Sequence, residues 1–224
     1  MMKRSIAIMA TMAITGIAMS DNAQAQTEPA GIIGKSSIKI EGGLMTPEAL
    51  WAMGRIGDAA VSPDAKNIVY GVSYYSVEQN KSRSVIYAST PNSDAVPALL
   101  TSNGSEYAPS FIPGTDKVAF LASANDCSGT MQLWMMNADG TGRQQISFEA
   151  NGVDDYLFSP CGKKVVLVET VSHEASVQKN DEDLSKSTGI VANDLMYKHW
   201  DHYTKSAPHP FVADFDGNKV SGRS

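Results

Sequence analysis

The densest side-chain chemistry in this 224-residue sequence lies near its C-terminal end, in Asp194-Leu195-Met196-Tyr197-Lys198-His199-Trp200-Asp201-His202-Tyr203 and in the following His209-Pro210-Phe211. His199, His202 and His209 with Asp201 have the donor types of a metal set. Their spacing is loose and no second ligand motif supports it, so no metal is expected. Trp200 and Tyr203 could line a ligand pocket or pack within a β-sheet core. Catalytic machinery is not apparent. There is no G-x-S-x-G; the nearest approach, Gly71-Val72-Ser73-Tyr74-Tyr75, lacks the final Gly and lies in a predicted strand rather than on a strand-to-helix turn. Gly-rich phosphate loops and H-E-x-x-H are missing too, so no cofactor is expected. No serine has a histidine and an orienting acid in a recognisable pattern, and no catalytic residue is assigned.

The elements that must position these residues are short strands. Residues 107–147 read as a four-stranded antiparallel unit, with strands at 107–112, 117–123, 131–137 and 144–147. Pro113-Gly114-Thr115-Asp116 forms the first turn, and Asp139-Gly140 a later hairpin turn, where Gly takes positive φ readily. Four strands in about 40 residues match one blade of a β-propeller. The neighbours repeat the pattern. Val61-Ser62-Pro63-Asp64 precedes Ile68-Val69-Tyr70, Phe111-Ile112-Pro113-Gly114 precedes Val118-Ala119-Phe120, and Phe158-Ser159-Pro160-Cys161 precedes Val165-Val166-Leu167. Each time an apolar residue stands two before the proline and an apolar strand begins five after it, with Lys66, Lys117 or Lys163 between. Proline presets φ for a tight turn that returns the chain as the next strand. The alternative is three unrelated hairpins.

The expected fold is therefore all-β: a partial β-propeller of about two and a half four-stranded blades, preceded by a signal peptide and a short helix. Blade one spans about 56–101, with strands at 58–62, 67–73, 84–89 and 98–101 and a charged, solvated loop at 76–83. Blade two spans about 106–147. Blade three starts near 153 and loses its regularity after Val171, where the polar stretch 172–187 begins. Residues 44–224 make up this propeller part. Thr46-Pro47-Glu48 supplies an N-cap, a first-turn proline and a first-turn acid for a helix ending near Met53, expected to pack on the propeller rim or to serve as a lid or dock. Residues 26–43 are a flexible lead-in. Residues 1–25 read as a secretory signal: Lys3 and Arg4, then an uncharged apolar run, then Ala23-Gln24-Ala25 as the cleavage site. The mature chain is expected to begin at Gln26 and to carry no membrane anchor. A closed propeller needs more blades than this, so the sequence is expected to be an N-terminal fragment or a truncated product.

Composition sets further bounds. Hydrophobic residues make up 42% and charged residues 19%, within the globular range. The net charge is −6, and loss of Lys3, Arg4 and Asp21 with the signal makes it −7. No basic run survives to suit nucleic acid or an anionic membrane surface. An exported protein can hold a disulfide, but Cys127 falls in a loop between second and third strands and Cys161 in a turn between first and second, at opposite ends of a blade. Two free thiols are expected.

Taken together, Leu44-Met45-Thr46-Pro47-Glu48 with Trp51, Ala60-Val61-Ser62-Pro63-Asp64, Met131-Gln132-Leu133-Trp134 through Asn137-Ala138-Asp139-Gly140-Thr141, and Tyr197-Lys198-His199-Trp200-Asp201 with His209-Pro210-Phe211 resemble the prolyl oligopeptidase family of serine peptidases. Within that family the likeness is to its exported bacterial dipeptidyl-peptidase 5 and acylaminoacyl-peptidase type. Tyr203 and Cys161 depart from the family pattern, which often has Trp and Asp there. The S-P-D and N-A-D-G pieces also occur in TolB-type periplasmic propellers, so a non-catalytic protein-binding propeller is the other reading. The resemblance implies an N-terminal propeller and a C-terminal α/β-hydrolase domain that bears the Ser-Asp-His triad and is absent here, so this chain would be inactive alone. It implies peptide substrates, release of N-terminal dipeptides, a propeller that gates and positions the peptide, and a periplasmic location. It makes Tyr197, His199, Trp200 and Asp201 candidates for lining the peptide cavity, with Asp201 able to pair with a substrate's α-ammonium.

Overall fold

The structure, a computed structural model, describes residues 32–126, 128–172, 177–178, 191–192 and 206–224. After a 3-10 turn at Glu41–Gly43 comes the short helix α1, Pro47–Ala52, started as its sequence dictates. Thr46 Oγ1 accepts the Ala49 N–H at 3.2 Å, Pro47 stands in the first turn and Glu48 faces the positive end of the helix dipole. The helix lies against the first sheet. The Arg55 guanidinium sits between two rings, 4.9 Å from the Trp51 centroid and 4.5 Å from Tyr75.

Three four-stranded antiparallel sheets follow. The first is β1 (Arg55–Val61), β2 (Ile68–Ser76), β3 (Lys81–Ser89) and β4 (Ala98–Leu99), in that spatial order. The second is β5 (Tyr107–Phe111), β6 (Lys117–Ser123), β7 (Met131–Asn137) and β8 (Gln144–Gln145). The third begins with β9 (Asp155–Phe158) and β10 (Lys164–Ser172); a two-stranded ladder of β11 (Val177–Gln178) and β12 (Val191–Ala192) intervenes in sequence; β13 (Ser206–Phe215) and β14 (Val220–Ser221) complete it. The all-β, blade-by-blade expectation holds, and β6 and β7 have the bounds read from sequence.

The three proline turns are one device. The N–H of the residue before each proline bonds to the carbonyl of the residue five positions on, at or just before the start of the return strand: Ser62 to Asn67 at 2.8 Å, Ile112 to Lys117 at 2.9 Å, Ser159 to Lys164 at 2.8 Å. In the first and third turns the serine hydroxyl also accepts the return N–H, from Asn67 at 2.9 Å and from Lys164 at 3.0 Å. Gly162 has φ +67°, and a Cβ there would stand 2.5 Å from the Pro113 carbonyl oxygen. A glycine is thus required both for backbone conformation and for the approach of the third turn to the second.

Alternation on β6 and β7 builds two inter-blade cores. Val118, Phe120, Ala122, Trp134 and Met136 face the first blade and pack with Val69 and Ile86. Ala119, Leu121, Leu133 and Met135 face the third and pack with Tyr156, Phe158, Val165, Leu167 and Phe215. A sheet buried on both faces needs apolar residues at consecutive positions, and Val118-Ala119-Phe120-Leu121-Ala122 supplies them. Each large side chain so buried contributes about 1.5–3 kcal/mol before entropy is counted.

Two expectations need correction. The third blade was read as partial, yet it has four strands, because residues 173–205 separate its second strand from its third. β13, which the sequence reading did not assign, contains Pro208 and Pro210. The Val212 N–H points to the fourth-strand side, where it bonds to the Ser224 carbonyl at 3.1 Å. Pro208 and Pro210 share its parity, so their ring nitrogens point away from β10 and the β10–β13 ladder loses no donor. The loop at 76–83 was read as solvated. Residues 77–82 are exposed as expected, but β2 and β3 extend into the two ends of the loop and Arg83 is buried, donating to the Ile33 carbonyl at 3.2 Å and the Ser102 carbonyl at 3.1 Å.

Cys161 is a free, exposed thiol in the third turn, and Cys127 lies outside the described residues. A bond with Ser159 and the Lys163 N–H hold the Cys161 thiol below its ordinary pKa.

Candidate functional site

An open cleft of about 290 Å³ is lined by the first strands of the three blades: Asp58 of β1, residues 108–111 of β5 and all of β9, with Pro113. Asp58, Ala108 and Asp155 occupy equivalent repeat positions in it, each five residues before its turn proline. Ala108 lies at a bulge in β5 with φ +52°, and β1 is irregular at the corresponding place. Such bulges re-aim side chains at a rim. Pro109, Phe111, Pro113, Leu157 and Phe158 give the cleft apolar walls; Ser110 and Tyr156 add hydroxyls. The buried Tyr156 hydroxyl lies 2.6 Å from the Ala108 carbonyl and 2.8 Å from the Ala119 carbonyl, and 2.9 Å from Ser110 Oγ. Its single proton serves one carbonyl at a time, and Ser110 can donate to it.

The electrostatics of this region are negative. Burial raises the Tyr156 pKa strongly, with Asp155 and Asp58 adding to the effect. Tyr107 is raised in the same way by burial, then by Asp154 and Asp155. A cleft with carboxylates at its rim and apolar walls favours a cationic group attached to an apolar body. Among the described residues no three of His, Cys, Asp or Glu converge closely enough to hold a metal ion. The described histidine His209 packs its ring on Phe211 with centroids 5.3 Å apart.

Tyr197, His199, Trp200 and Asp201 lie outside the described residues, as do Asp194, His202 and Tyr203. The fold does locate the ends of their segment. β10 and β13 pair from Lys164 opposite Asp214 to Ser172 opposite Ser206, so residues 173–205 depart from the Ser172 end. Asp155 pairs with Val168 and so lies toward that same end. Residues 173–205, which carry the candidate tract, therefore join the third blade at the end of its sheet nearer Asp155 than Phe158.

At the root of that segment is a charge cluster that the sequence reading did not single out. Glu169 is fully buried, and both its oxygens accept from Arg223 Nη1, at 2.8 and 2.7 Å. The same nitrogen donates to Glu149 Oε2 at 2.9 Å. The Arg223 guanidinium carbon stands 4.0 Å from the Phe211 ring centroid. The signal was present: Val165, Leu167 and Glu169 share one face of an alternating strand, and a carboxylate on an apolar face needs a cation. A second such pair holds the linker between the first two blades. Glu106, also fully buried, accepts from the Asn103 and Gly104 N–H groups at 3.1 and 2.7 Å and from Arg143 at 2.7 Å.

Comparison with known proteins bears on the whole arrangement. No protein-family model matches the chain. It is 35% identical over 170 residues to a dipeptidyl-peptidase 5 of Porphyromonas endodontalis, covering 76% of this chain and 24% of the relative. It is 33% identical over 200 residues to a dipeptidyl-peptidase 5 of Porphyromonas gingivalis, covering 87% of this chain and 29% of the relative. The chain matches the N-terminal propeller part of a prolyl oligopeptidase family peptidase. It spans only about a quarter of the length of these relatives. Among solved structures, an acylaminoacyl peptidase in complex with Z-Gly-Gly-Phe-chloromethyl ketone superposes with a TM-score of 0.56 at 15% identity, covering 78% of this chain and 25% of that one. The acylaminoacyl peptidase of Pyrococcus horikoshii gives 0.53 at 15% identity, over 77% and 25% of the two chains. The structural likeness shows the β-propeller fold, and the sequence likeness is to dipeptidyl-peptidase 5.

Proposed function

We propose that this propeller is part of an exported serine dipeptidyl-peptidase and that it gates and positions the peptide presented to a hydrolase domain. The observation that carries the reading is the identity to two dipeptidyl-peptidase 5 sequences across most of the chain. The geometry supports it in one respect. Asp58 and Asp155 lie at the cleft between the inner strands, and residues 173–205, which include Tyr197, His199, Trp200 and Asp201, join the third blade at the end of its sheet nearer Asp155. A peptide's α-ammonium with an apolar neighbouring side chain is the kind of group such a rim attracts. In this reading the nucleophile, its base and the orienting acid belong to the hydrolase domain, where an acyl-enzyme forms and is hydrolysed. Tyr197, His199, Trp200 and Asp201 line the route, and Asp201 pairs with the ammonium. The leader is removed after Ala25 and the protein is periplasmic.

The test is Asp201→Ala in the full-length enzyme, assayed on a dipeptidyl chromogenic substrate. KM should rise by about tenfold or more while kcat holds, since the lost contact is to the bound N-terminus and not to the reacting bond. Unchanged KM and kcat would remove Asp201 from the route. The same preparation, isolated from its host, should begin at Gln26. A full-length protein without hydrolase activity would leave the non-catalytic binding propeller as the reading.

A further inference from the structure

The cleft at the inner strands is an apolar groove with an unbalanced charge. Pro109, Phe111, Leu157 and Phe158 supply its walls, and Leu157 is 70% exposed. Its volume of about 290 Å³ is at the low end for ligand sites, room for a side chain or two and too little for a folded partner. Asp58 and Asp155 bring carboxylates to it from two different blades, and no Lys, Arg or His is among the described residues that line it.

Both aspartates are exposed, and the ion pairs among the described residues all go to other carboxylates. Asp155 Oδ1 accepts the Tyr156 N–H at 2.8 Å, which fixes that carboxylate against β9. Asp58 makes no hydrogen bond among the described residues. Behind the effect of burial, Asp155 and Asp58 both push the Tyr156 pKa up, so the two charges act on one hydroxyl at the groove. The middle blade carries Ala108 at the equivalent position, its carbonyl bonded to the Tyr156 hydroxyl at 2.6 Å. An alanine there keeps the space between the two carboxylates small-walled and uncharged.

This lining selects its occupant. Carboxylates without a counter-charge attract a cation, and exposed apolar walls beside them favour a group that brings charge and apolar surface together. A lysine or arginine carries its charge at the end of an apolar stem, which can lie on the wall while the head reaches the rim. A peptide's α-ammonium sits directly on the backbone and brings no stem. We propose that the groove docks a basic side chain of a peptide, Lys or Arg, with the stem on the Pro109 and Leu157 wall and the head paired with Asp58 and Asp155. That such a peptide is on its way to a hydrolase domain rests on the function proposed above; the preference of the groove for a basic side chain does not.

The experiment titrates the full-length protein by calorimetry with two capped tetrapeptides, acetyl-Ala-Lys-Leu-Ala-amide and acetyl-Ala-Met-Leu-Ala-amide. The acetyl cap removes the α-ammonium, so a difference between them reports the side-chain charge alone. At low salt the Lys peptide should bind about tenfold more tightly. Asp58→Asn should cut this preference to about threefold and addition of Asp155→Asn should abolish it, as expected of two exposed ion pairs. Raising the salt to about 0.5 M should shrink the preference in the wild type and not in the double variant. Leu157→Ala should weaken both peptides alike. Both aspartates are exposed, and asparagine keeps an oxygen for the Tyr156 N–H, so these variants leave the fold intact. Equal affinities of the wild type for the two peptides, or a preference that outlives the double substitution, overturns the proposal. Tighter binding of the Met peptide assigns the groove to apolar side chains, and an affinity that falls as protein concentration rises assigns it to a second copy; either result overturns it too. The outcome is separable from that of Asp201→Ala. If Asp201→Ala leaves KM unchanged while the Lys preference behaves as described, the peptide-contact reading of Asp201 fails and the groove assignment stands. If KM rises and the preference is absent, the groove assignment alone fails.

Discussion

Glu106→Gln is the sharpest probe of how these blades are joined. The native carboxylate has no exposed surface and meets three donors: Asn103 N–H and Arg143 Nη1 at Oε1, and Gly104 N–H at Oε2. Glutamine keeps one acceptor oxygen and replaces the other with an NH2 group. If its oxygen takes the Oε1 position, the Gly104 N–H faces another donor; if flipped, the Asn103 and Arg143 donors do. An orphaned buried donor costs about 1–3 kcal/mol, and the remaining bond to Arg143 loses its charge assistance, about 1 kcal/mol more. Arg143 is only 23% exposed and is stacked 4.7 Å from the Trp134 ring, so it cannot recover full hydration without leaving that stack. The sum is about 3 kcal/mol, at the low end of what breaking a buried pair by removing one partner costs. Urea denaturation followed by tryptophan fluorescence gives the loss directly, and Trp134 reports on the disrupted stack. A loss below about 1 kcal/mol would mean that the linker at residues 103–106 is not held by this carboxylate, refuting the assignment.

Two further outcomes follow from the packing of the turns and the buried carboxylates. Gly162→Ala should cost about 3 kcal/mol, combining a left-handed backbone penalty with displacement of the Pro113 carbonyl. Gly114→Ala, with φ +77° and nothing within 4 Å of its Cβ, should cost only about 1–2 kcal/mol. Equal losses in thermal unfolding would show that the third turn does not press on the second. The Glu169 carboxyl is raised above the ordinary carboxylate range by burial, against the opposing pull of Arg223, with Glu149 adding to the rise. The folded state therefore binds this proton to higher pH than the unfolded chain does. The stabilisation it contributes is complete below the unfolded pKa and is lost as pH rises through the folded one. Glu169→Gln should accordingly gain in Tm relative to wild type as pH is raised from the acid side to neutrality; parallel Tm curves for the two proteins would contradict the shift.

Much of the architecture was legible because it is written locally. Ser62-Pro63, Ile112-Pro113 and Ser159-Pro160 announce tight turns through the fixed φ of proline, and the apolar strands five residues on give the return strands. The run from Val118 to Ala122 shows a sheet covered on both faces. Thr46-Pro47-Glu48 starts a helix whatever lies around it. The bulged inner strands and the cleft between them were less legible, because equivalence of Asp58 and Asp155 has meaning only once the blades stand side by side.

The sequence by itself determined the all-β repeat, its turns and the alternation that makes the inter-blade cores, since each depends on backbone preferences and spacing within a few residues. Only the tertiary structure decided which charges are buried and which prolines are harmless. Glu106 meets Arg143 across 37 positions and Glu169 meets Arg223 across 54, so the partner that makes each buried carboxylate tolerable cannot be read from its neighbours. Arg83 looked solvated beside a charged turn, but the fold brings the carbonyls of Ile33 and Ser102 to it. Pro208 and Pro210 lack the donors a central strand uses, but the register of β13 turns those positions away from β10, so the β10–β13 ladder loses nothing by them.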